Sequence, residues 1–478
     1  MSALCLENCL EVYSFADFQN LHRLKQHAES FFLIHFQKLI DFDEFLQIGS
    51  ENLCRVISSD ELNVSSEEVV YEAVLRWIKH DLSSRKDELS TLLFSLRLPL
   101  MDIDYIEDLI LLEPLIQENQ LCVELVEEVI NSEKCLESSH TQFNLTPRLG
   151  MYYKKMLVFS GGSHEPTQKS FCCFDVEAKQ NYVAIKHHPT FDFKNRIDLY
   201  KLILTETNDI YFLGGVSFDD YHYASAGAPA KSSVLIFNQS LQTWEERTPM
   251  IEPKCAFGAC SYSNHLYVFG GYPKYPDHPP NKSVFAYDID SDEWNEREDV
   301  PMSIAHQAVT VFQNKAFMFG GNDVNNDCLN TVFQYTFNCD QWTLLETRIP
   351  KEVAEASAIT HQNKIYLLGG CNSVGNFLSV LIYEPEKNKW RYAQDFLDDR
   401  KFTSITKGNN CIYVCGGTKQ YLTRSRQSRT KEIYDLFRYD IHTNQWSNRI
   451  RTLEHGSNYT CVFANVNTKY LKSSPNHV

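Results

Sequence analysis

The chain has 478 residues, 43% of them hydrophobic, which is too long for one ordinary core and too apolar for wholesale disorder. Its net charge of −17 arises within residues 1–140, where 27 Asp and Glu face 10 Lys and Arg; the remainder carries 35 of each sign. That split predicts two different units, and an acidic first unit with no dominant basic stripe elsewhere excludes a nucleic-acid binder. Apolar stretches are short and broken by charge, so no membrane span is expected. The start, MSALCLENCLEVYSF, has no basic segment of the kind that opens a secretory signal. The 15 cysteines are scattered among apolar neighbours, as at Cys122, Cys260 and Cys461, and read as reduced thiols of a cytoplasmic protein, with the nucleus as the alternative.

In chain order, residues 1–138 read as short packed helices. LHRLKQHAESFFLIHFQKLI (21–40) spaces its apolar residues at helical intervals. In DELNVSSEEVVYEAVLRWIKHD (60–81), Ser65 and Glu68 suggest a capping box, and Val70, Val74, Trp77 and Ile78 share one face. YIEDLILLEPLI and LCVELVEEVI continue in this style, and residues 139–147 form a linker. Four segments carry a resemblance: YSFADFQNL (13–21), HFQKLIDFDEFLQI (35–48), the stretch just quoted, and RLPLMD (97–102). Together they resemble the BACK domain that precedes kelch propellers in BTB–kelch proteins.

From residue 148 to 470 one unit recurs six times. Glycine pairs end apolar runs at 161–162, 214–215, 270–271, 320–321, 369–370 and 416–417, a period near fifty residues. Trp244, Trp294, Trp342, Trp390 and Trp446 follow, each seven residues after an aromatic: Phe237, Tyr287, Tyr335, Tyr383 and Tyr439. The segments between, such as YDIDSDEW, are polar and suit a hairpin turn. In the first unit Phe174 and Tyr182 stand in these places, one residue further apart. Four short strands per unit, with no helical pattern between them, predict an all-β six-bladed propeller. NYTCVFANV (458–466) is expected to supply the missing strand of the first blade and close the ring; 471–478 is a tail. The double glycine after an apolar strand and the Tyr-x6-Trp spacing resemble kelch repeats, although the Arg that often follows Met-Pro is absent from several units, as in VPMSIAHQAV (300–309).

The whole chain thus resembles a BTB–BACK–kelch protein that lacks the BTB domain. The resemblance implies a substrate-recognition subunit of a cullin-3 ubiquitin ligase, with the target protein on the propeller. Residues 6–40 resemble the segment that completes the cullin-3 contact beside BTB. Without BTB, cullin-3 is expected to bind weakly, or only through a BTB-containing partner. The alternatives are a non-catalytic interaction protein that binds actin or another cytoskeletal partner, and a decoy of a longer sibling.

Local chemistry adds no cofactor, metal or catalytic site. The glycine pairs are followed by further strands rather than by the helix N-terminus that a phosphate site needs. Cys411 and Cys415, or Cys172 and Cys173, have no second pair at zinc spacing. His187, His188 and His306 have no coherent nucleophile or acid. Binding is expected in the loops just past the glycines. The candidates are Ser163 and His164; Tyr272, Lys274 and Tyr275 in YPKYPDHPPNKS; Asn322 and Asp323; Asn372 and Ser373; and Lys419, Arg424, Arg426 and Arg429 in TKQYLTRSRQSRTKE (418–432). This last, basic stretch is either a solvated insertion or a rim for an acidic or phosphorylated peptide.

Overall fold

The computed structural model describes residues 4–6, 8–135, 144–160, 172–183, 196–218, 228–239, 243–376, 379–396, 400–401, 403–408, 410–422, 428–432, 435–447, 450–451 and 460–473. The chain divides into two compact units: Met1–Tyr153 with Asn467–Lys469, and Lys154–Val466 with Tyr470–Val478.

The first unit is helical. Helices α1 (Cys9–Phe18), α2 (His22–Leu39), α3 (Ser50–Ser58) and α4 (Glu67–His80) are followed by shorter turns and a long helix, Gln120–Cys135. Val70, Val74, Trp77 and Ile78 are buried on the inner face of α4, and Trp77 Nε1 donates to Ile48 O at 2.9 Å. The capping box does not form. Ser66 caps α4 without a side-chain bond, because distant groups take both carboxylates of the first turn. Glu68 accepts the Asp102 amide at 3.0 Å. Glu67, fully buried, accepts Arg148 Nε at 2.6 Å and the Arg97 amide at 2.9 Å. Arg148 also reaches Ser59 O at 3.0 Å, and Arg97 pairs with Asp60 and Thr146 O. Two buried guanidinium groups thus clamp the segment around residues 144–150 onto the helices. A pair this deep leaves an uncompensated charge if either partner is lost, typically costing about 3–5 kcal/mol.

The second unit is a six-bladed propeller of antiparallel sheets. Blades 3 to 5 contain four strands each: Gly258–Tyr262, His265–Phe269, Val284–Asp288 and Glu293–Arg297; Ala308–Phe312, Lys315–Phe319, Val332–Thr336 and Gln341–Leu344; and Ser357–His361, Lys364–Leu368, Leu381–Glu384 and Lys389–Tyr392. Blade 2 has the same order with Lys201–Leu204, Ile210–Leu213, Val234–Asn238 and Thr243–Glu246. In blade 6, Ser404–Gly408, Cys411–Cys415, Asp435–Asp440 and Gln445–Trp446 form the sheet, and Ile450–Arg451 extends it along the third strand. Closure is as expected. Thr460–Asn467 lies beside Tyr153–Ser160 in blade 1, followed by Cys172–Asp175 and Gln180–Val183. Lys472–Ser473, in the stretch expected to be only a tail, adds a fifth strand there.

The aromatic spacing has a structural cause. Each Tyr of the repeat lies directly across from its Trp on the neighbouring strand, as in Tyr335↔Trp342. The Trp ring packs on a Phe of the preceding blade: Trp342 lies 5.6 Å from Phe269, and Trp390 lies 5.7 Å from Phe319. The Tyr hydroxyl donates to an Asp or Asn in the intervening turn, Asp292, Asp340, Asn388 or Asn444, each in the left-handed conformation. Asp340 Oδ1 also accepts the Glu298 amide at 3.0 Å, while Trp342 Nε1 donates to Glu298 O at 2.8 Å. Tyr, turn residue and Trp together bind one blade to the one before it. Blade 1 departs from this: Tyr182 faces Cys173 and Phe174 faces Asn181, because the extra residue shifts the register by one.

Candidate binding face

The segments after the glycine pairs and those leading into each blade's first strand lie at the same end of the propeller, because strands 1 and 2 are antiparallel. The glycines work at this junction. Gly321 donates its amide to Val353 O in the next blade at 2.9 Å, and Gly271 does the same to Ile304 O at 2.8 Å. A Cβ on Gly320 would lie 2.0 Å from Val353 O, so the pair permits a backbone approach that no other residue allows. The first residue past each pair is also fixed. Tyr272, Asn322, Cys371 and Thr418 exchange both backbone hydrogen bonds with Cys255, Ala305, Ala354 and Lys401, at 2.8–3.1 Å.

The next residue inward turns left-handed in four blades: Leu199, Ala256, His306 and Glu355 have φ of 56°, 52°, 54° and 58°. Non-glycine residues in this region cost on the order of 1 kcal/mol or more each. They are held by bonds in series: Ala256 donates to Leu199 O at 3.0 Å, His306 to Ala256 O at 2.8 Å, and Glu355 to His306 O at 2.9 Å. This belt surrounds a cavity of about 110 Å³ lined by Lys201, His306, Gln307, Glu355, Ser404 and Thr460, among others.

The side chains around the cavity are polar and partly spoken for. Glu355 Oε2 receives Lys401 Nζ at 3.1 Å and the Cys371 thiol at 3.2 Å. Burial, helped by Glu355, pushes the Cys371 thiol up to about 12, so its sulfur is a donor rather than a nucleophile. Burial brings His306 down to about 4, against the opposing pull of Glu355. The imidazole is therefore neutral at physiological pH, and it packs at an angle against Tyr272 and edge-on against Tyr275, at ring separations of 5.8 and 6.0 Å. Such a surface can recognise and orient a polypeptide. Among the described residues no group of three His, Cys, Asp or Glu stands close enough to hold a metal ion, and no helix is long and apolar enough to cross a membrane.

The expected binding residues divide into scaffold and rim. Tyr272 and Asn322 are buried, each 6% exposed, and belong to the fixed junction. Asp323 spends its carboxylate on the Asn325 and Asp327 amides, and Asn372 its carbonyl on those of Val374 and Gly375, so both shape their loops. Ser373 is exposed. Lys274, paired with Asp277 at 3.6 Å, and the half-buried Tyr275 form a two-residue ladder with Ala228–Pro229 of blade 2. The basic stretch is a hairpin rather than a loop: Thr418–Leu422 pairs with Ser428–Glu432, setting half-buried Lys419 opposite Lys431 and Arg429 opposite Tyr421. Ser163, His164, Arg424 and Arg426 lie outside the described residues.

Sequence reasoning missed Lys201, Glu355 and Lys401, and noticed His306 only as a lone histidine. A signal existed. Ala256, His306 and Glu355 each stand fourteen residues before the first glycine of their pair. Counting back from the glycines, rather than forward, leads to the belt.

Comparison with known proteins gives two family models. One described as "BACK: BTB And C-terminal Kelch" matches residues 9–111, and the "KLHDC2/KLHL20/DRC7 Kelch-repeats domain" matches residues 256–462. Similar proteins include Kelch-like protein 40 of Xenopus laevis, 23% identical over 502 residues, covering 97% of this chain and 78% of the relative. Kelch-like protein 41b of Danio rerio is 24% identical over 489 residues, covering 97% and 77%. Kelch-like protein 38 of Rattus norvegicus is 25% identical over 453 residues, covering 94% and 74%.

Proposed function

We propose that this chain, which belongs to the kelch-like family with a BACK domain ahead of a kelch propeller, selects target proteins for a cullin-3 ubiquitin ligase. The observation that carries the reading is the binding face. Its backbone is locked by the belt and the glycine latches, while side chains of differing chemistry from several blades occupy equivalent positions. A rigid frame with variable contacts favours recognition, since little ordering entropy is lost on docking. The work done is then positional: holding a target lysine near a charged conjugating enzyme raises its effective concentration without local chemistry. The cytoplasm is the compartment this role fits.

The test is affinity purification of the chain from cells, followed by measurement of ubiquitylation on the proteins recovered. The expected result is a reproducible set of targets whose ubiquitylation falls when the chain is depleted, with cullin-3 recovered weakly or only alongside a BTB-containing partner. Targets whose ubiquitylation does not change would reduce the role to protein interaction. Co-sedimentation with actin filaments in the absence of cullin-3 would replace it with a cytoskeletal one.

A further inference from the structure

Ladder register identifies equivalent residues in the blades. Lys201 pairs with Leu213 at the start of blade 2, as Gly258 pairs with Phe269, Ala308 with Phe319, Ser357 with Leu368 and Ser404 with Cys415. Four of these five positions hold small residues, and the fifth holds a lysine that lines the cavity. Among the described residues Lys201 makes no ion pair and no hydrogen bond, and burial lowers its pKa. The cavity's carboxylate cannot serve as its counter-ion, because Glu355 is already engaged by Lys401 and the Cys371 thiol. Further polar capacity is unused nearby. Gln307 Oε1 and Thr403 Oγ1, in residues only 2% and 5% exposed, are buried without partners, and both residues line the cavity. Ser404 Oγ accepts the Cys461 amide at 2.8 Å, which leaves its proton to donate.

We propose that this cavity accepts one carboxylate side chain from a docked polypeptide, with Lys201 as its counter-ion and the Thr403 and Ser404 hydroxyls as donors. The inference rests on the reading of this face as the target-binding one. An uncompensated, half-buried cation lacks what a ligand carboxylate supplies, a partner in a place where water cannot fully screen it. Charge number favours a monoanion over phosphate. One free ammonium beside neutral His306 and the already paired Glu355 and Lys401 balances one negative charge, and a dianion would meet Glu355 uncompensated.

The experiment follows the ε-carbon of lysine by NMR in the full chain labelled with [ε-13C]lysine, with Lys201→Met identifying the resonance. The probes are N-acetyl-glutamate methylamide, its glutamine counterpart and inorganic phosphate. The glutamate probe should shift the Lys201 resonance saturably and raise its titration midpoint, with at least tenfold weaker responses to the glutamine probe and to phosphate. Lys201→Met removes a cation without a partner, so it should fold, which circular dichroism checks. An unmoved Lys201 resonance, or equal responses to the glutamate and glutamine probes, would overturn the proposal; tighter binding of phosphate would replace the carboxylate with a dianion. Because no ligase is present, loss of cullin-3 association in cells leaves this titration unaffected, and the two readings fail separately.

Discussion

Blades 3 to 6 and blades 1 and 2 meet the same packing requirement with different chemistry. In blades 3, 4 and 6 a Tyr hydroxyl, a left-handed Asp or Asn and a Trp indole form a relay to the preceding blade: Trp294 to Thr248, Trp342 to Glu298 and Trp446 to Gln394. Blade 5 keeps the Tyr383–Asn388 bond, but Trp390 Nε1 is buried without a partner. Blade 2 has Phe237 in place of the Tyr, and Trp244 packs against Phe237 and Phe212 at 5.2 and 6.2 Å. Blade 1 has no Trp and relies on the closing strand, which a double clasp fastens to blade 2. Asn208 Nδ2 donates to Asn465 O at 2.8 Å, and the Asn465 amide returns a bond to Asn208 Oδ1 at 2.8 Å. The propeller therefore needs each seam to be filled and its polar groups satisfied; it does not need any one set of residues to do so.

The glycine latch is common to both groups of blades, so breaking it should cost the same in each and more than the other seam changes below. Gly320→Ala would put a Cβ 2.0 Å from Val353 O at φ 56°, and Gly214→Ala one 2.5 Å from Lys254 O at φ 59°. Each is expected to lose about 4 kcal/mol or more, since strain and a backbone clash add. Urea unfolding of the two variants should give losses that agree within error. A loss confined to blade 4 would show that blade 2 seals its seam by another means.

The relay itself comes next. Asp340→Ala removes the acceptor of two donors, the Tyr335 hydroxyl and the Glu298 amide, and puts alanine at φ 53°. A loss of about 2–4 kcal/mol is expected. Asp340→Asn should cost under about 1 kcal/mol, because Asn388 and Asn444 accept the same hydroxyl bond in blades 5 and 6. If Asp340→Asn is as damaging as Asp340→Ala, the carboxylate charge and not the acceptor geometry holds the seam.

This contrast explains what was legible in the sequence. The six-fold repeat, the helical unit and the closing strand could be read because glycine pairs and Tyr-x6-Trp spacing are local devices with a fixed period. The blade 1 register could not, since one extra residue between Phe174 and Tyr182 reverses which side chains face each other. Nor could the role of Glu68, whose partner Asp102 is 34 residues away. The candidate face was only half legible. Loops after the glycines stand out by composition, but Leu199, Ala256, His306 and Glu355 share a backbone conformation and no side-chain chemistry. Composition cannot reveal such a belt, and periodicity alone could have.

The belt offers a pH test of that point, because blade 4 places a histidine where blades 2 and 3 place Leu199 and Ala256. His306 is held near 4 in the folded chain against an ordinary value of 6.5, so between these limits the unfolded chain binds the extra proton. Stability from this site is complete above pH 6.5 and is lost as the pH falls toward 4. The full shift corresponds to about 3 kcal/mol, and the partial exposure of His306 should reduce the observed loss to about 1–2 kcal/mol. His306→Asn keeps a residue tolerant of the left-handed conformation and removes the titration. Its stability should therefore vary less with pH across this window, as measured by denaturant unfolding at pH 7, 5.5 and 4.5. An unchanged slope would show that His306 is not the source of the acid sensitivity.

The smallest effect on stability should come from the basic hairpin, where blade 6 differs from every other blade in charge. Lys419, Arg424, Arg426, Arg429 and Lys431 stand against Glu432 within residues 418–432, in a region (141–478) whose total is balanced only because this stretch is included. Lys419 lies opposite Lys431 in the backbone register of this ladder. Reversing Arg424, Arg426 and Arg429 to Glu should leave the unfolding free energy within about 0.5 kcal/mol of the parent. Its effect on binding is expected to be larger. If the hairpin steers an acidic target toward the channel, the triple variant slows association several-fold at low salt, and the difference disappears as salt rises, because such steering acts through unscreened charge. Surface plasmon resonance with a recovered target at two ionic strengths separates the cases. An association rate unchanged at low salt would make the hairpin a solvated insertion, and recognition would then rest on the belt and the channel it encloses.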